Sequence, residues 1–464
     1  MDSSKWLAAG SVALVLGCSE GEPYPPGEIE LIVGAETYAW SAEPTPDRLI
    51  VSREDEDGNV EDHATLEDPT ERFSMGTDGV SRFEVNGLSA DDERCIWGRS
   101  HWLNTPTLTG YLLPLFVGRV GEFARPPGTI RWDHGQRPPA VMLGERYVLA
   151  AGAGDVGAVL TDAYDLGLWA PGSAPELWCP DEDEECHIRS LAVVDYAIVA
   201  AVGDSWFRSF VFSASSDVLG GLIVEYDDAS LPEGLDEFSE VAGGRALTAP
   251  DGDVFVVGAT RAENATDAIL RLVASTDDAA LTLRTIRLAA PRVGAGAIWT
   301  EDHGLVLVGG SDDAPGLEVL AEGETESVTL PYPADATQGA GLAALDGDRL
   351  LRIGGVDSDG QPAPTVSIDL NCTEHCAPEP YGATLPLTSI YAYSLENEEL
   401  IAVGEDAGGE THVVRVLEQD LESVSLRERR WGASSLLLPT GHVALVGGTD
   451  ADGTGVTTLE LYAR

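Results

Sequence analysis

Lysine is almost absent from this chain. Lys5 is the only one, and every other basic residue is arginine. Basic residues of both kinds are scarce, 27 against 79 acidic, and the formal charge is -52. A chain this negative repels phosphate backbones, which excludes nucleic acid as a partner. Two readings fit the missing lysine: the codon bias of a GC-rich genome, or a surface adapted to a salty exterior, where dense carboxylates keep a folded chain hydrated. A membrane-spanning apolar run is missing too. Residues 7–16 are apolar or small, but ten residues are too few for a permanent transmembrane helix. In the segment that follows the leader, no stretch repeats its apolar residues with the 3.6 period of a helix. Glycine, by contrast, is abundant at 52 residues, as expected where many turns join short strands. The apolar fraction of 43% allows a sizeable core, and 464 residues suggest roughly two to four domains.

The N-terminus reads as an address. Lys5, the short apolar run and the small Gly17 make a secretory signal, in which Asp2 is an atypical acidic residue. Val15-Leu16-Gly17-Cys18 resembles the lipobox of bacterial lipoproteins. That resemblance implies cleavage before Cys18 and a diacylglycerol on its thiol. Ser19 in the second mature position then implies sorting to the outer membrane or cell surface of a Gram-negative bacterium. Two or more acyl chains give stable anchoring. The signal peptide is thus residues 1–17, and the polar, proline-rich stretch 18–27 is a tether holding the folded part off the membrane.

Five cysteines remain if Cys18 is acylated. Outside the cytoplasm close pairs oxidise. Cys179 and Cys186 flank an acidic insert, Cys372 and Cys376 flank Thr-Glu-His, and both pairs read as local loop staples. Short loops gain little from closure, so these bonds would order loops rather than hold the fold. A competing reading makes Cys372, His375 and Cys376 a metal site, but structural zinc takes four ligands and no second suitable pair lies nearby. Cys95, beside Trp97 in an alternating segment, reads as a buried free thiol.

Residues 28–124 contain five runs with strand character, at 29–33, 48–51, 82–85, 94–97 and 110–117, separated by Asp, Gly, Pro and Asn clusters. They predict a β-sandwich. Phe83-Glu-Val-Asn-Gly-Leu88 followed by Arg94-Cys-Ile-Trp97 resembles the corner of a fibronectin type III or immunoglobulin-like module, although the tyrosine usual there is missing. Asp55-Glu-Asp-Gly-Asn59 begins like a calcium loop, but the twelfth position is Leu66, with no side-chain oxygen to offer, so a polar hairpin turn is expected.

The remaining chain repeats. A glycine ends an apolar run at Gly152, Gly203, Gly258, Gly309, Gly354, Gly404 and Gly447, spaced 43 to 55 residues apart. The runs are nearly continuous in apolar residues, as for strands covered on both faces. Double glycines near a 50-residue period resemble kelch repeats, most clearly at Arg430-Trp-Gly-Ala-Ser-Ser through Val446-Gly-Gly448, at Pro291-Arg-Val-Gly-Ala-Gly through Val308-Gly-Gly310, and at 350–355. The resemblance implies an all-β, seven-bladed β-propeller over 125–464, four strands to a blade. The last repeat lacks an outer strand because the sequence ends soon after Tyr462. Residues 128–132, which carry Gly128-Thr-Ile-Arg-Trp132, are expected to supply it and remove an open edge.

Chemistry is harder to find. Val202-Gly-Asp-Ser-Trp206 resembles the Gly-Asp-Ser block of one esterase family, but the late Asp-x-x-His that such enzymes need is missing. Asp357-Ser-Asp-Gly360 and Asp450-Ala-Asp-Gly453 sit in equivalent places and read as inter-strand turns, with weak cation binding as the alternative. The eight histidines are scattered, and no motif carries over the copper ligands of galactose oxidase-like propellers. No catalytic residue, metal or cofactor is therefore expected. The expected function is non-catalytic binding of a protein or glycan by a monomer anchored through Cys18. The alternative is an exported hydrolase or oxidase with its site at the propeller's central channel.

Overall fold

The computed structural model describes residues 25–130, 135–152, 158–159, 161–172, 177–178, 187–195, 198–215, 218–221, 231–274, 281–313, 315–396, 399–417 and 420–464. The chain is all-β. Its helical content among these residues is four short 3-10 turns.

Two sheets share the first core. Glu28–Ile32 lies between Phe73–Ser74, antiparallel to it, and Leu112–Phe116, parallel to it. The second sheet runs in the order Val60–Leu66, Arg48–Asp55, Val80–Leu88, Arg94–Arg99, Gly118–Arg119, with Leu103–Asn104 also paired to Val80–Leu88. Along Val80–Leu88 every second residue is buried, the period that places alternate side chains on one face. Ile29, Phe73, Phe83, Ile96 and Leu115 meet in the shared core. Asp55 closes the hairpin between Arg48–Asp55 and Val60–Leu66 by accepting the Asp57 and Asn59 amides on Oδ1, at 3.0 and 2.9 Å. That carboxylate serves a turn.

Seven four-stranded antiparallel sheets follow. The first comprises Ala140–Leu143, Tyr147–Ala151, Thr161–Asp165 and Ala170–Gly172. The second comprises Ser190–Val194, Ile198–Val202, Phe207–Ser215 and Val218–Gly221. The third is Arg245–Thr248, Val254–Val257, Thr266–Ala274 and Leu281–Arg292. The fourth is Gly296–Thr300, Gly304–Val308, Leu317–Leu320 and Val328–Leu330. The fifth is Gly341–Asp346, Arg349–Ile353, Val366–Asp369 and Glu379–Pro380. The sixth is Thr388–Ser394, Leu400–Glu405, Thr411–Val416 and Leu421–Val424. The seventh has three strands of its own, Ser434–Leu437, Val443–Val446 and Glu460–Tyr462. Its fourth comes from far upstream: Phe123–Ala124 pairs antiparallel with the last strand, Phe123 opposite Tyr462 and Ala124 opposite Leu461.

This corrects the expected closing strand. Residues 128–130 form no strand, and residues 131–132 lie outside the described residues. The Ile130 amide still donates to the Thr457 carbonyl at 2.8 Å, so the segment passes the seventh sheet without joining its ladder. The reason is steric order. Gly118–Arg119 is already paired to Arg94–Arg99, and the chain reaches the free edge of Glu460–Tyr462 only a few residues later.

The second strand of each sheet explains the repeat. Val254–Val257, Gly304–Val308 and Val443–Val446 are buried at every residue, as strands covered on both faces must be. At the end of the fourth sheet's second strand, Gly309 and Gly310 have φ of 83° and 80°, which side chains rarely tolerate. A Cβ on Gly309 would lie 2.5 Å from the Thr337 carbonyl oxygen, at the entry to the next sheet. The double glycine thus turns the chain and lets the neighbouring sheet approach.

Two of these turns are braced by the same buried ion pair. Arg292 and Glu318 are both 0% exposed and bonded at 2.7 Å, as are Arg430 and Glu460. Arg292 Nη1 donates to the Gly309 carbonyl and Arg430 Nη1 to that of Gly447. Each carboxylate's other oxygen accepts the amide three residues before its arginine, from Ala289 and Arg427, at 2.8 Å in both cases.

Apolar cores fill the spaces between sheets. Leu149 packs with Val199 and Phe210 between the first and second, Val202 with Val256 and Leu270 between the second and third, and Val257 with Leu305 between the third and fourth. The series continues with Val306 and Leu350, Leu351 and Ala402, and Val403 and Leu445. The seventh sheet packs on the first through Val446, Leu461, Val148 and Tyr164.

The N-terminal module is not separable from these sheets. Phe116 lies in the core between the seventh and first sheets. Trp97, Phe116 and Trp169 surround His442, with ring centroids 4.6, 6.0 and 6.1 Å away. His442 is fully buried, and burial, aided by the Arg99 and Arg464 charges, lowers its pKa to about 3. Its Nδ1 is 3.0 Å from Thr440 Oγ1. Arg99 and Arg464 both bond Glu396, at 2.7 and 2.6 Å, and tie the module to the sixth sheet's first hairpin.

Candidate functional site

In each of the seven sheets the first strand begins, and the second ends, at the edge that carries the glycine turns. Backbone bonds run along this edge from sheet to sheet. The Gly339 amide donates to Gly294 at 2.7 Å, Ile390 to Gly339 at 3.0 Å, Gly432 to Gly409 at 3.1 Å and Arg137 to Gly432 at 2.6 Å. Ser190 Oγ bridges the second and third sheets, donating to the Gly244 carbonyl and accepting the Gly243 amide.

Side chains from the first, third and sixth sheets converge at this edge. Arg245 opens the third sheet, yet its guanidinium lies 3.9 Å from the centre of the Tyr391 ring, and its Nη2 donates to the Ile390 carbonyl. Both partners belong to the sixth sheet's first strand. Arg137, immediately before the first sheet, donates through Nε to Glu405 at 2.8 Å. The carboxylate is 7% exposed and the guanidinium 62%. This hydrogen bond raises the Arg137 pKa, and Tyr391 and Glu263 are near enough to act on the same charge.

A cleft of about 500 Å³ adjoins the third sheet, lined by Arg189, Asp204, Arg261, Glu263, Asn264 and Asp267 among others. Arg189 pairs with Asp204 at 3.3 Å and Glu263 at 3.2 Å. Arg261 is held by the Ser239 and Ala242 carbonyls, and burial lowers its pKa. The cleft is therefore polar, with charges of both signs and hydroxyl and amide groups beside them. It is suited to holding a polar ligand by hydrogen bonds.

Of the residues the sequence singles out, Asp204 lines this cleft and the others lie elsewhere or outside the described residues. Cys18, Cys179 and Cys186 fall outside the described residues. Cys372 and Cys376 are joined by a disulfide in the loop between the fifth sheet's third and fourth strands, at the opposite edge. The bond occupies both sulfurs, which removes them as metal ligands beside His375. Cys95 is buried and free, with Sγ 3.4 Å from the Gly87 carbonyl oxygen. Gly203 sits in a tight turn, its amide donating to Trp206, and Asp204 beside it pairs with Arg189. The Asp357 and Asp450 segments are turns with the same hydrogen bonds: each aspartate accepts the amides two and four residues on, at 2.8 to 3.0 Å. Asp406 makes the same turn, and there Glu410 and His412 add potential ligand atoms within 4.8 Å of it. Arg429 pairs with that Glu410.

Sequence reasoning missed Arg137, Arg245, Tyr391 and Glu405. The one available signal was the shortage of basic residues, which makes each arginine near a repeat boundary worth tracing to its partner.

No protein-family profile matches the chain, and no curated protein matches it in sequence. Among solved structures, that of YjhT is similar at a TM-score of 0.40 and 11% identity, over 72% of this chain and 96% of that one. At that distance the likeness assigns neither residue nor role.

Proposed function

We propose that the seven sheets are the blades of one kelch-like β-propeller, that residues 28–124 form a β-sandwich packed on it, and that the glycine-turn face is a non-catalytic binding surface for a protein or glycan. The observation that carries this reading is the meeting of Arg245 with Tyr391, and of Arg137 with Glu405 and Tyr391. A series curved around a shared axis would bring the first, third and sixth sheets to one point in this way. The cyclic order of the cores, ending with the seventh sheet on the first, supports the same geometry. In that arrangement the convergent residues stand at the mouth of the central channel. Loops there are free to vary while the blades hold them rigid.

The chain works at the outer membrane or cell surface, anchored through acylated Cys18, with residues 19–27 as tether. Its sign of charge favours a ligand that is not a polyanion. The test has two parts. Metabolic labelling with a radiolabelled fatty acid should mark the wild type and spare Cys18→Ser. Hydroxyl-radical footprinting of the anchored protein on its native cells should protect peptides carrying Tyr391 and residues 261–267. Protection confined to the edge that carries the Cys372–Cys376 loop would contradict the assignment of the face.

A further inference from the structure

We infer that Arg245, held against Tyr391, is the anchor for a single carboxylate on a small hydroxylated ligand, of the uronic-acid class, at the channel mouth. The inference rests on the binding role proposed above and names the chemistry that the site would select.

With 79 acidic residues against 27 basic ones, an arginine readily finds a carboxylate partner. Arg137 and Arg189 at the mouth do so. Arg245 and Arg261 do not: among the described residues, the first contacts only a carbonyl and an aromatic ring, and the second carbonyls. Arg94 and Arg119 in the N-terminal module and Arg284 on the third sheet's outer strand also lack a carboxylate partner among the described residues, so the feature is not unique. At this face, however, Arg245 and Arg261 are the arginines not paired with one, and Glu263, Asp204 and Glu240 act on the Arg261 charge.

Of the two, Arg245 is the one built for recognition. Arg261 directs its Nη1 into the protein, and its Nε is buried. Arg245 is fixed by one bond from Nη2 and by stacking on Tyr391, while Nε and Nη1 have no protein acceptor among the described residues. The second hydrogen of Nη2, with the free N–H beside it, offers a planar fork matched to a carboxylate, with little ordering left to do when the ligand arrives. The remaining surroundings limit the ligand. Glu263 and Asp204 are exposed and share one arginine, Arg189, so a second anionic group beside them would meet repulsion. The cleft on the same sheet is lined by Asn264, whose amide can donate to and accept from hydroxyl groups, and by the carboxylates of Asp204 and Glu263, which accept from them. One carboxylate on a hydroxylated skeleton satisfies both halves.

The test compares D-glucuronate with D-glucose, which share a ring and differ in the carboxylate, by calorimetry on the full mature chain. Glucuronate should bind at least about tenfold more tightly, the range of a charge-assisted bidentate contact. Arg245→Gln should abolish the difference, while Arg284→Gln, on the exposed outer strand of the same sheet, should leave it unchanged. In case Arg245→Gln unfolds, the wild type supplies an independent readout: glucuronate, unlike glucose, should protect Arg245 from phenylglyoxal, read by peptide mass. Equal binding of the two sugars, with both weakened by Tyr391→Ala, would overturn the anchor and leave the binding face standing. Failure of both sugars to bind or to protect Arg245 would overturn the anchor as well. Loss of the footprint on Tyr391 and residues 261–267 would remove the binding face itself. Selective binding of an acidic peptide with no response to glucuronate would replace the ligand class.

Discussion

Glu318→Ala should destabilise this protein by about 3–5 kcal/mol, the usual cost of stranding one member of a buried ion pair. The structure supplies the reasons. Arg292 and Glu318 are both 0% exposed. Arg292 makes two bonds to Glu318 Oε1, at 2.9 and 2.7 Å, and one each to the Gly309 and Pro315 carbonyls, at 2.7 and 2.6 Å. Without the carboxylate, the guanidinium keeps its carbonyls and loses its counter-charge. The Ala289 amide and Ser327 hydroxyl lose their acceptor too, at about 1 kcal/mol or more for each group left unsatisfied. The double variant Arg292→Met/Glu318→Leu should cost less than Glu318→Ala alone, because no unpaired charge remains. Urea unfolding at pH 7, read by tryptophan fluorescence, gives the three values, and Glu460→Ala should repeat the result in the seventh sheet. A loss below about 1 kcal/mol for Glu318→Ala, or a double variant worse than the single, would refute the claim that charge pairing braces the double-glycine turn.

Three other outcomes follow from the same structure. His442 has its folded pKa lowered to about 3, so its neutral form contributes stability that is complete above the unfolded value near 6.5 and is lost as pH falls toward 3. About 2 kcal/mol should be gone by pH 5, and His442→Phe should flatten that part of the stability–pH curve. Phe123→Ala should cost about 3–5 kcal/mol, since the ring is fully buried against Tyr462 in the closing strand. Thr129→Ala, in the segment that does not close the sheet, should stay within about 0.5 kcal/mol in the same denaturation assay. Gly309→Ala combines a φ of 83° with a Cβ 2.5 Å from backbone and should cost about 1–3 kcal/mol by thermal unfolding.

Much of the architecture was legible because one strand per sheet carries a strong signal. Each of the seven anchor glycines falls at or near the end of a second strand, and in five of the seven sheets that strand is apolar throughout. The double glycines at Gly309, Gly354 and Gly447 mark positions where both φ and neighbour distance exclude a side chain. The closing strand was misplaced for a physical reason. Residues 128–132 have the β-branched, aromatic composition of a strand, whereas Phe123–Ala124 is two residues long and is a strand only because Glu460–Tyr462 lies beside it. A partner more than 300 residues away leaves no periodicity to read. The candidate site was illegible on the same grounds: Arg137, Arg245 and Tyr391 belong to no common motif and come from sheets far apart in the sequence. Asp55, Asp357 and Asp450 were correctly readable as turns, because an aspartate before a glycine satisfies its own backbone locally.

The central claim is that the first and seventh sheets meet. Gln136 and Gly432 lie at their entries, with the Arg137 amide bonded to the Gly432 carbonyl at 2.6 Å. A Cβ on Gly432 would stand 3.0 Å from that of Gln136, so a shift of under about 1 Å gives disulfide geometry. Mild oxidation of the Gln136→Cys/Gly432→Cys variant, followed by peptide mass spectrometry, should show the two peptides linked in nearly all molecules. Free thiols at both positions in the oxidised, folded protein would mean that the series of sheets does not close.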